Sequence, residues 1–297
     1  MSRVSPTESL SALAKELGFE LVGTIKVTPP NLKPDKHFEA FKRWLQDGMQ
    51  ADMTHFVRNF QTRKNPSALL PGAQSMIMLG VSYSKVLNSE PHPIQQLNGI
   101  VEYARGTDYH RWIRTRLAIL TQKHRELLPA EQCRGMVDTA PLFEKHYAAE
   151  AGLGTIGKNT LLINPSLGSK FFLAAFLSTL EAECCAPQSG IDVCGDCRQC
   201  LDACPTGALI KPFVLDSRRC LSYWTLVHRG TMPKEIAERR GDRFLGCDTC
   251  QSVCPHNQLV PSIPQGAVAP WLLDAETLRS YLTGTALEGR REPPVMV

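Results

Sequence analysis

The 297-residue sequence has no apolar run approaching the roughly 18 residues needed to cross a bilayer, so no membrane association is expected. Its opening, MSRVSPTESLSALAKELGFELVG, lacks the apolar block and small-residue cleavage site of a secretory signal. The cytoplasm is therefore the expected compartment, and stable disulfides are disfavoured there. There is no G-x-x-x-x-G-K-[ST] phosphate loop and no G-x-S-x-G nucleophile elbow. The 8 histidines fall in no metal-spaced set. Charge is modest, at 21% charged residues and a net +4, which permits a nucleic-acid partner without demanding one.

Cysteine is what the chain has in quantity. Of 11 cysteines, Cys133, Cys184 and Cys185 stand outside the main group and read as ordinary thiols. The others lie between Cys194 and Cys254, and clustered cysteines in a reducing compartment bind metal or do redox chemistry. CGDCRQCLDACP sets Cys194, Cys197, Cys200 and Cys204 in the spacing C-x2-C-x2-C-x3-C-P of bacterial ferredoxins. In that arrangement three close thiolates wrap one cubane, and the fourth, at a helix start, ligates the other. Pro205 suits that first helical turn, where a missing N–H costs nothing. GCDTCQSVCP supplies Cys247, Cys250 and Cys254, again followed by proline, and Cys220 upstream completes the count. The expected ligand sets are Cys194, Cys197, Cys200 and Cys254 for one 4Fe–4S cluster, and Cys204, Cys220, Cys247 and Cys250 for the other. A pair of zinc sites would need neither the third cysteine of each run nor the two prolines.

The periodicities predict an α+β chain. An N-terminal α/β domain (1–183) precedes a dicluster ferredoxin-like domain (184–260) and a short C-terminal tail (261–297). Helices are expected over about 7–17, 35–47, 109–127 (capped by Asp108), 142–151 and 275–282. Strands are expected over 19–27, 75–83, 160–163 and 171–179, with another ending at Met136–Val137. GLGTIG at Gly152–Gly157 matches a dinucleotide fingerprint, but helical LFEKHYAAEA precedes it where a strand should stand, so Gly152 reads as a helix C-cap. In DYHRWI, Asp108 reads as a cap and His110 as a surface histidine, not a cobalt ligand. Asp138, in VDTAP, has two open roles: a proton donor at a strand end, or a cap for the helix over 142–151. Lys158 and Asn159, in IGKNT, read as loop residues.

Taken together, LLPGAQSMI (69–77), YARGTDYH (103–110), VDTAPLFEKHYAAEAGLGTIGKNTLLINP (137–165), GSKFFL (168–173), the two cysteine runs and VLDSRRCLSYWT (214–225) resemble the epoxyqueuosine reductase family. That resemblance implies base-off cobalamin without a histidine ligand in the N-terminal domain, reduced through the two clusters. It also implies a tRNA substrate carrying epoxyqueuosine, whose epoxide loses its oxygen as water, and an external electron donor. Asp138 would be the proton donor. Arg58, Tyr103, Asp138, Lys158, Asn159, Ser169, Ser222 and Asp248 would line the cobalamin, and a monomer is expected. Family members continue further beyond the last cluster cysteine. Arg218, Arg219, Arg229, Arg239, Arg240, Arg290 and Arg291 could form a basic strip for phosphates. A dehalogenase-like cobalamin and iron–sulfur reductase, or a non-catalytic electron carrier, are the alternatives.

Overall fold

A computed structural model describes residues 5–27, 36–87, 99–182, 192–258 and 260–261. Cys184, Cys185, Arg290, Arg291 and the helix expected over 275–282 lie outside the described residues.

Helix α1 (Pro6–Glu16) opens with a capping box in which Ser5 and Glu8 satisfy each other's backbone N–H groups. Strand β1 (Leu21–Lys26) follows, then α2 (Lys36–Gln46), α3 (His55–Arg58) and α4 (Phe60–Lys64). Next come β2 (Ser75–Ser82), α5 (Tyr83–Leu87), α6 (Tyr109–Leu127) and β3 (Cys133–Met136). After α7 (Glu144–Glu150), the short strands β4 (Thr155–Ile156) and β5 (Leu162–Ile163) form a hairpin ahead of β6 (Phe171–Ser178).

Strands β1, β2, β6 and β3 make one sheet in that order, and every pairing is antiparallel. The central pair runs from Ser75 opposite Ser178 to Ser82 opposite Phe171. Its side chains alternate between two cores, as the two-residue period of a strand requires. Ile77, Leu79, Val81, Phe172, Ala174 and Phe176 pack with residues of α1, α5 and α6. Met76, Met78, Ala175 and Leu177 pack with Phe38 of α2 and with Tyr147 and Ala148 of α7 on the opposite face. A sheet covered on both faces explains why β2 and β6 read as unbroken apolar runs.

Four details depart from expectation. No helix starts at Cys204 and Pro205, which lie in a turn after the helical residues 199–202. Helix α7 begins at Glu144, not at 142, because the Leu142 carbonyl is taken by buried Arg63 Nη1 at 3.0 Å. The strand expected over 160–163 is reduced to Leu162–Ile163, since Thr160 sits in a turn at φ +66°. His110 is buried, not at the surface.

The cysteine-rich part has little regular structure. It holds α8 (Gln199–Asp202), the β7 (Leu209–Lys211) and β8 (Val214–Leu215) hairpin, α9 (Lys234–Ala237) and α10 (Thr249–Ser252). It is sewn to the first part by polar contacts: Trp44 Nε1 to the Leu215 carbonyl at 2.6 Å, the Ser217 N–H to the Met49 carbonyl at 3.0 Å, and an Ile100–Leu245 bridge.

Candidate active site

Asp138 follows β3, an edge strand, and its backbone lies at φ +36°. A residue with a Cβ pays roughly 1–2 kcal/mol for that region, so surrounding contacts must hold it. They come from the first turn of α6. Asp108 caps the helix by accepting the His110 N–H at 2.9 Å. The same carboxylate meets His110 Nδ1 at 2.9 Å, turning Nε2 toward Asp138 Oδ2 at 2.8 Å. The Tyr109 hydroxyl donates to that same Oδ2. Both ring nitrogens of His110 are thus engaged with carboxylates, and neither is left for a metal. Burial pulls the His110 pKa down, but the hydrogen bonds and charges of Asp138 and Asp108 outweigh it and leave it above the ordinary histidine value. Tyr109 is held far above the usual phenol range, first by burial and then by the Asp138 charge, so it keeps its proton.

The side chain of Asp138 is 10% exposed, and its second oxygen, Oδ1, is buried without a hydrogen-bond partner. Asp138 does not cap α7, whose N-cap is Phe143 with no side-chain bond. The capping role left open by the sequence is therefore set aside. Tyr109, His110 and Glu144 stand against Asp138, with Arg63 beside Glu144, and the sequence marked none of them as functional.

Of the other candidates, Tyr103 comes close to Asp138, and Asp248 comes close to Tyr103. Tyr103 lies among Tyr83, Asp248 and Asp138, and burial raises its pKa far out of the neutral range. Asp248 accepts the Glu102 N–H at 2.6 Å through Oδ2, while its buried Oδ1 has no partner. Lys158, Asn159, Ser169 and Ser222 have other duties. Lys158 gives its N–H to Cys194 Sγ at 3.4 Å and its Nζ to the Cys197 carbonyl at 3.0 Å. Asn159 donates to the Cys250 carbonyl at 3.4 Å, and Ser222 Oγ accepts the Cys247 N–H at 3.1 Å. Buried Ser169 bonds to Asn257 and Gln251. Arg58 ends α3 on the surface, near His55.

The thiols fall into two sets drawn from both cysteine runs. Cys200 has Cys194 and Cys254 as charged neighbours, and Cys254 has Cys194 and Cys197. Cys250 has Cys220, Cys247 and Cys204. Among the described residues no three His, Cys, Asp or Glu side chains converge as a single ion would require. A cubane asks instead for four separated sulfurs, one on each iron. The Lys158 N–H on Cys194 Sγ and the Ala208 N–H on Cys204 Sγ (3.2 Å) are hydrogen bonds of the kind that tune cluster potentials. The Gly152–Gly157 segment is no dinucleotide site. Helix α7 precedes it, Gly152 is its left-handed cap at φ +76°, and a Cβ at Gly154 would lie 2.4 Å from the Ile163 carbonyl in the β4–β5 hairpin.

Comparison with known proteins gives this geometry a lineage. A protein of Pseudomonas aeruginosa named epoxyqueuosine reductase is 36% identical over 268 residues, covering 89% of this chain and 72% of that protein. The chain belongs to the epoxyqueuosine reductase family. A Synechococcus sp. (strain CC9605) member is 37% identical over 274 residues, covering 90% of this chain and 82% of the relative. The family described as epoxyqueuosine reductase QueG, DUF1730, matches residues 63–139, and a 4Fe-4S double cluster binding domain matches 193–257. The solved epoxyqueuosine reductase of Streptococcus thermophilus superposes with a TM-score of 0.76 at 29% identity, covering 93% of this chain and 74% of that one. The Bacillus subtilis reductase, solved with its catalytic aspartate loop swung out of the active site, gives 0.74 at 29%, covering 89% and 69%. A third epoxyqueuosine reductase, solved with an epoxyqueuosine-modified tRNA-Tyr stem loop, gives 0.74 at 28%, covering 94% and 76%.

Proposed function

We propose that this protein reduces epoxyqueuosine to queuosine in tRNA, using two 4Fe–4S clusters and cobalamin, with Asp138 as the proton donor. The observation that carries this reading is the Asp138 carboxylate. It is fixed on one oxygen by Tyr109 and His110, and its other oxygen is buried and unpartnered, in a chain of the epoxyqueuosine reductase family. Removing the epoxide oxygen as water leaves an alkene and takes two electrons and two protons. Asp138 meets the negative charge that develops on that oxygen, and His110, hydrogen-bonded to Asp138, is placed to restore its proton.

The residues present suit cobalamin. Asp138 Oδ1 and Asp248 Oδ1 are buried acceptors without donors, beside the phenols of Tyr83 and Tyr103. The corrin rim is edged with amide N–H groups, which such acceptors would take. We assign Tyr103, Asp138 and Asp248 to it directly. Arg58 stands at its periphery, while Lys158, Asn159, Ser169 and Ser222 hold the cluster loops against it. When bound, the corrin supplies the reducing electrons at the epoxide, and the protein orients, protonates and excludes water. With both nitrogens of His110 engaged, a base-off corrin without a histidine ligand agrees with the site.

Cys194, Cys197, Cys200 and Cys254 would hold one cluster, and Cys204, Cys220, Cys247 and Cys250 the other. An external donor feeds them. No helix among the described residues is long and apolar enough to cross a membrane. We infer a monomer acting in the cytoplasm, where its tRNA substrate resides.

The test is mass spectrometry of nucleosides from epoxyqueuosine-bearing tRNA, incubated under strong reductant with cluster-replete, cobalamin-loaded protein. Wild type is expected to yield queuosine, and Asp138→Asn to be slower by roughly 10²–10⁴-fold. Full turnover by the variant would remove Asp138 from its role. Absence of product with wild type would reject the substrate.

A further inference from the structure

The arginine strip suggested by the sequence largely serves the fold. Arg218 forms a two-pronged pair with Asp216 at 2.8 and 2.9 Å. Arg219 donates to the Thr206 carbonyl at 3.1 Å, Arg239 to the Pro205 carbonyl at 3.3 Å, and Arg240 lies over the Phe244 ring. A different group of arginines stands beside the catalytic loop.

A cleft of about 960 Å³ opens between α6 and β3, and the loop carrying Asp138 contributes Val137 and Thr139–Pro141 to its wall. Arg114 and Arg125 face it from α6, and Arg134 faces it from β3. All three are exposed. Arg134 also donates to the Leu69 carbonyl at 2.7 Å, which fixes its direction. Arg114 and Arg125 take no hydrogen-bond or ion-pair partner among the described residues. The acid in the lining, Glu126, is already occupied by Lys123 at 3.3 Å and Gln122 at 3.2 Å. The cleft therefore presents uncompensated positive charge, and the residues on either side of Asp138 in the chain form part of its wall. Arg114 and Arg125 lie eleven positions apart on one face of α6, roughly 16 Å at the helical rise, which is more than one nucleotide can span.

We propose that this cleft seats the ribose–phosphate backbone of the RNA strand flanking the modified nucleoside, with Arg114, Arg125 and Arg134 on its phosphates. This rests on the tRNA substrate proposed above, and it gives that substrate a track leading to Asp138. Arginine suits the task because its planar fork matches phosphate oxygens.

The experiment measures binding of the cluster- and cobalamin-loaded protein to an anticodon stem-loop RNA carrying epoxyqueuosine, between 50 and 200 mM salt. R114A/R125A is expected to bind roughly tenfold more weakly at the lower salt. Its dependence of log affinity on log salt should be shallower by about 0.7 for each phosphate that is no longer neutralised. R114K/R125K should keep most of the salt slope, since it keeps the charge. Inorganic phosphate at the same phosphate concentration should not displace the RNA. Unchanged iron content and melting temperature establish that the variants fold. Affinity of R114A/R125A within twofold of wild type with the same slope would overturn the cleft while leaving the function standing. Displacement by inorganic phosphate would overturn it in favour of a simple anion site. Failure of wild type to bind the stem-loop would overturn both the cleft and the substrate.

Discussion

Glu144 opens α7 at the far end of the loop that begins with Asp138, and its carboxyl faces the Asp138 backbone N–H. Burial, and then the negative charge of Asp138, push it up to about 8, against the opposing pull of Arg63 and Lys145. Its Oε1, like Asp138 Oδ1, is buried without a partner. Below about 8 the group is therefore neutral, and above it a second negative charge stands beside Asp138. Between the ordinary glutamate value of 4.5 and about 8, the folded state binds a proton that the unfolded chain has released. The Glu144 contribution to stability is thus complete at the acid end of this window. It is lost as pH rises through about 8, at about 1.4 kcal/mol per unit. Glu144→Gln, neutral at every pH, should abolish this slope, so its melting temperature should exceed that of wild type by a margin that widens from about pH 5 to about pH 8. Parallel melting curves for the two proteins across that range would show that Glu144 is ionised throughout. Nothing local in the sequence distinguishes Glu144 from a surface acid in the first turn of a helix, because its desolvation beside another acid arises only from the tertiary fold.

At the scale of elements, the start of α6 matters most, because one helical turn presents Asp108, Tyr109 and His110 together. Replacing Asp108 with alanine removes the cap and should cost about 1 kcal/mol in a denaturant titration. It should also lower the His110 pKa, since one of the two carboxylates that raise it is gone. Nuclear magnetic resonance titration of the imidazole separates these effects, and a His110 pKa that does not fall would mean that Asp138 alone sets it. The cap itself was legible: Asp108 precedes an apolar-periodic run, and the helix runs over Tyr109–Leu127 as expected. The role of His110 was not legible, because its partner lies 28 positions away across the α6–β3 connection. The same limit applies to the sheet. The apolar runs of β2 and β6 announce buried strands, but their antiparallel pairing, with β1 and β3 outside them, depends on chain paths that apolar content does not encode.

For the whole molecule, the question is whether the two cysteine runs act as two local sites or as one interleaved body. The polar seams favour the second. His256, just past Cys254, reaches the Val193 carbonyl beside Cys194 at 2.9 Å, and Asn257 bonds Ser169 in the strand-bearing part. These contacts carry the end of the second run back to the start of the first, so Cys254 keeps Cys194 and Cys197 as neighbours. Paired substitutions discriminate the arrangements by iron content after anaerobic reconstitution. In the interleaved arrangement Cys194→Ser with Cys254→Ser strikes one cluster twice, and iron should fall from about eight to about four per chain. Cys250→Ser with Cys254→Ser strikes both clusters, and iron should fall toward zero. Local sites would reverse these results, because Cys250 and Cys254 would then share one cluster while Cys194 and Cys254 served different ones. The electron path rests on the same geometry. In the interleaved arrangement each cluster would draw its last ligand from the other's run, so neither could shift without moving its neighbour, and the distance that electrons must cross would be set by the backbone that joins them.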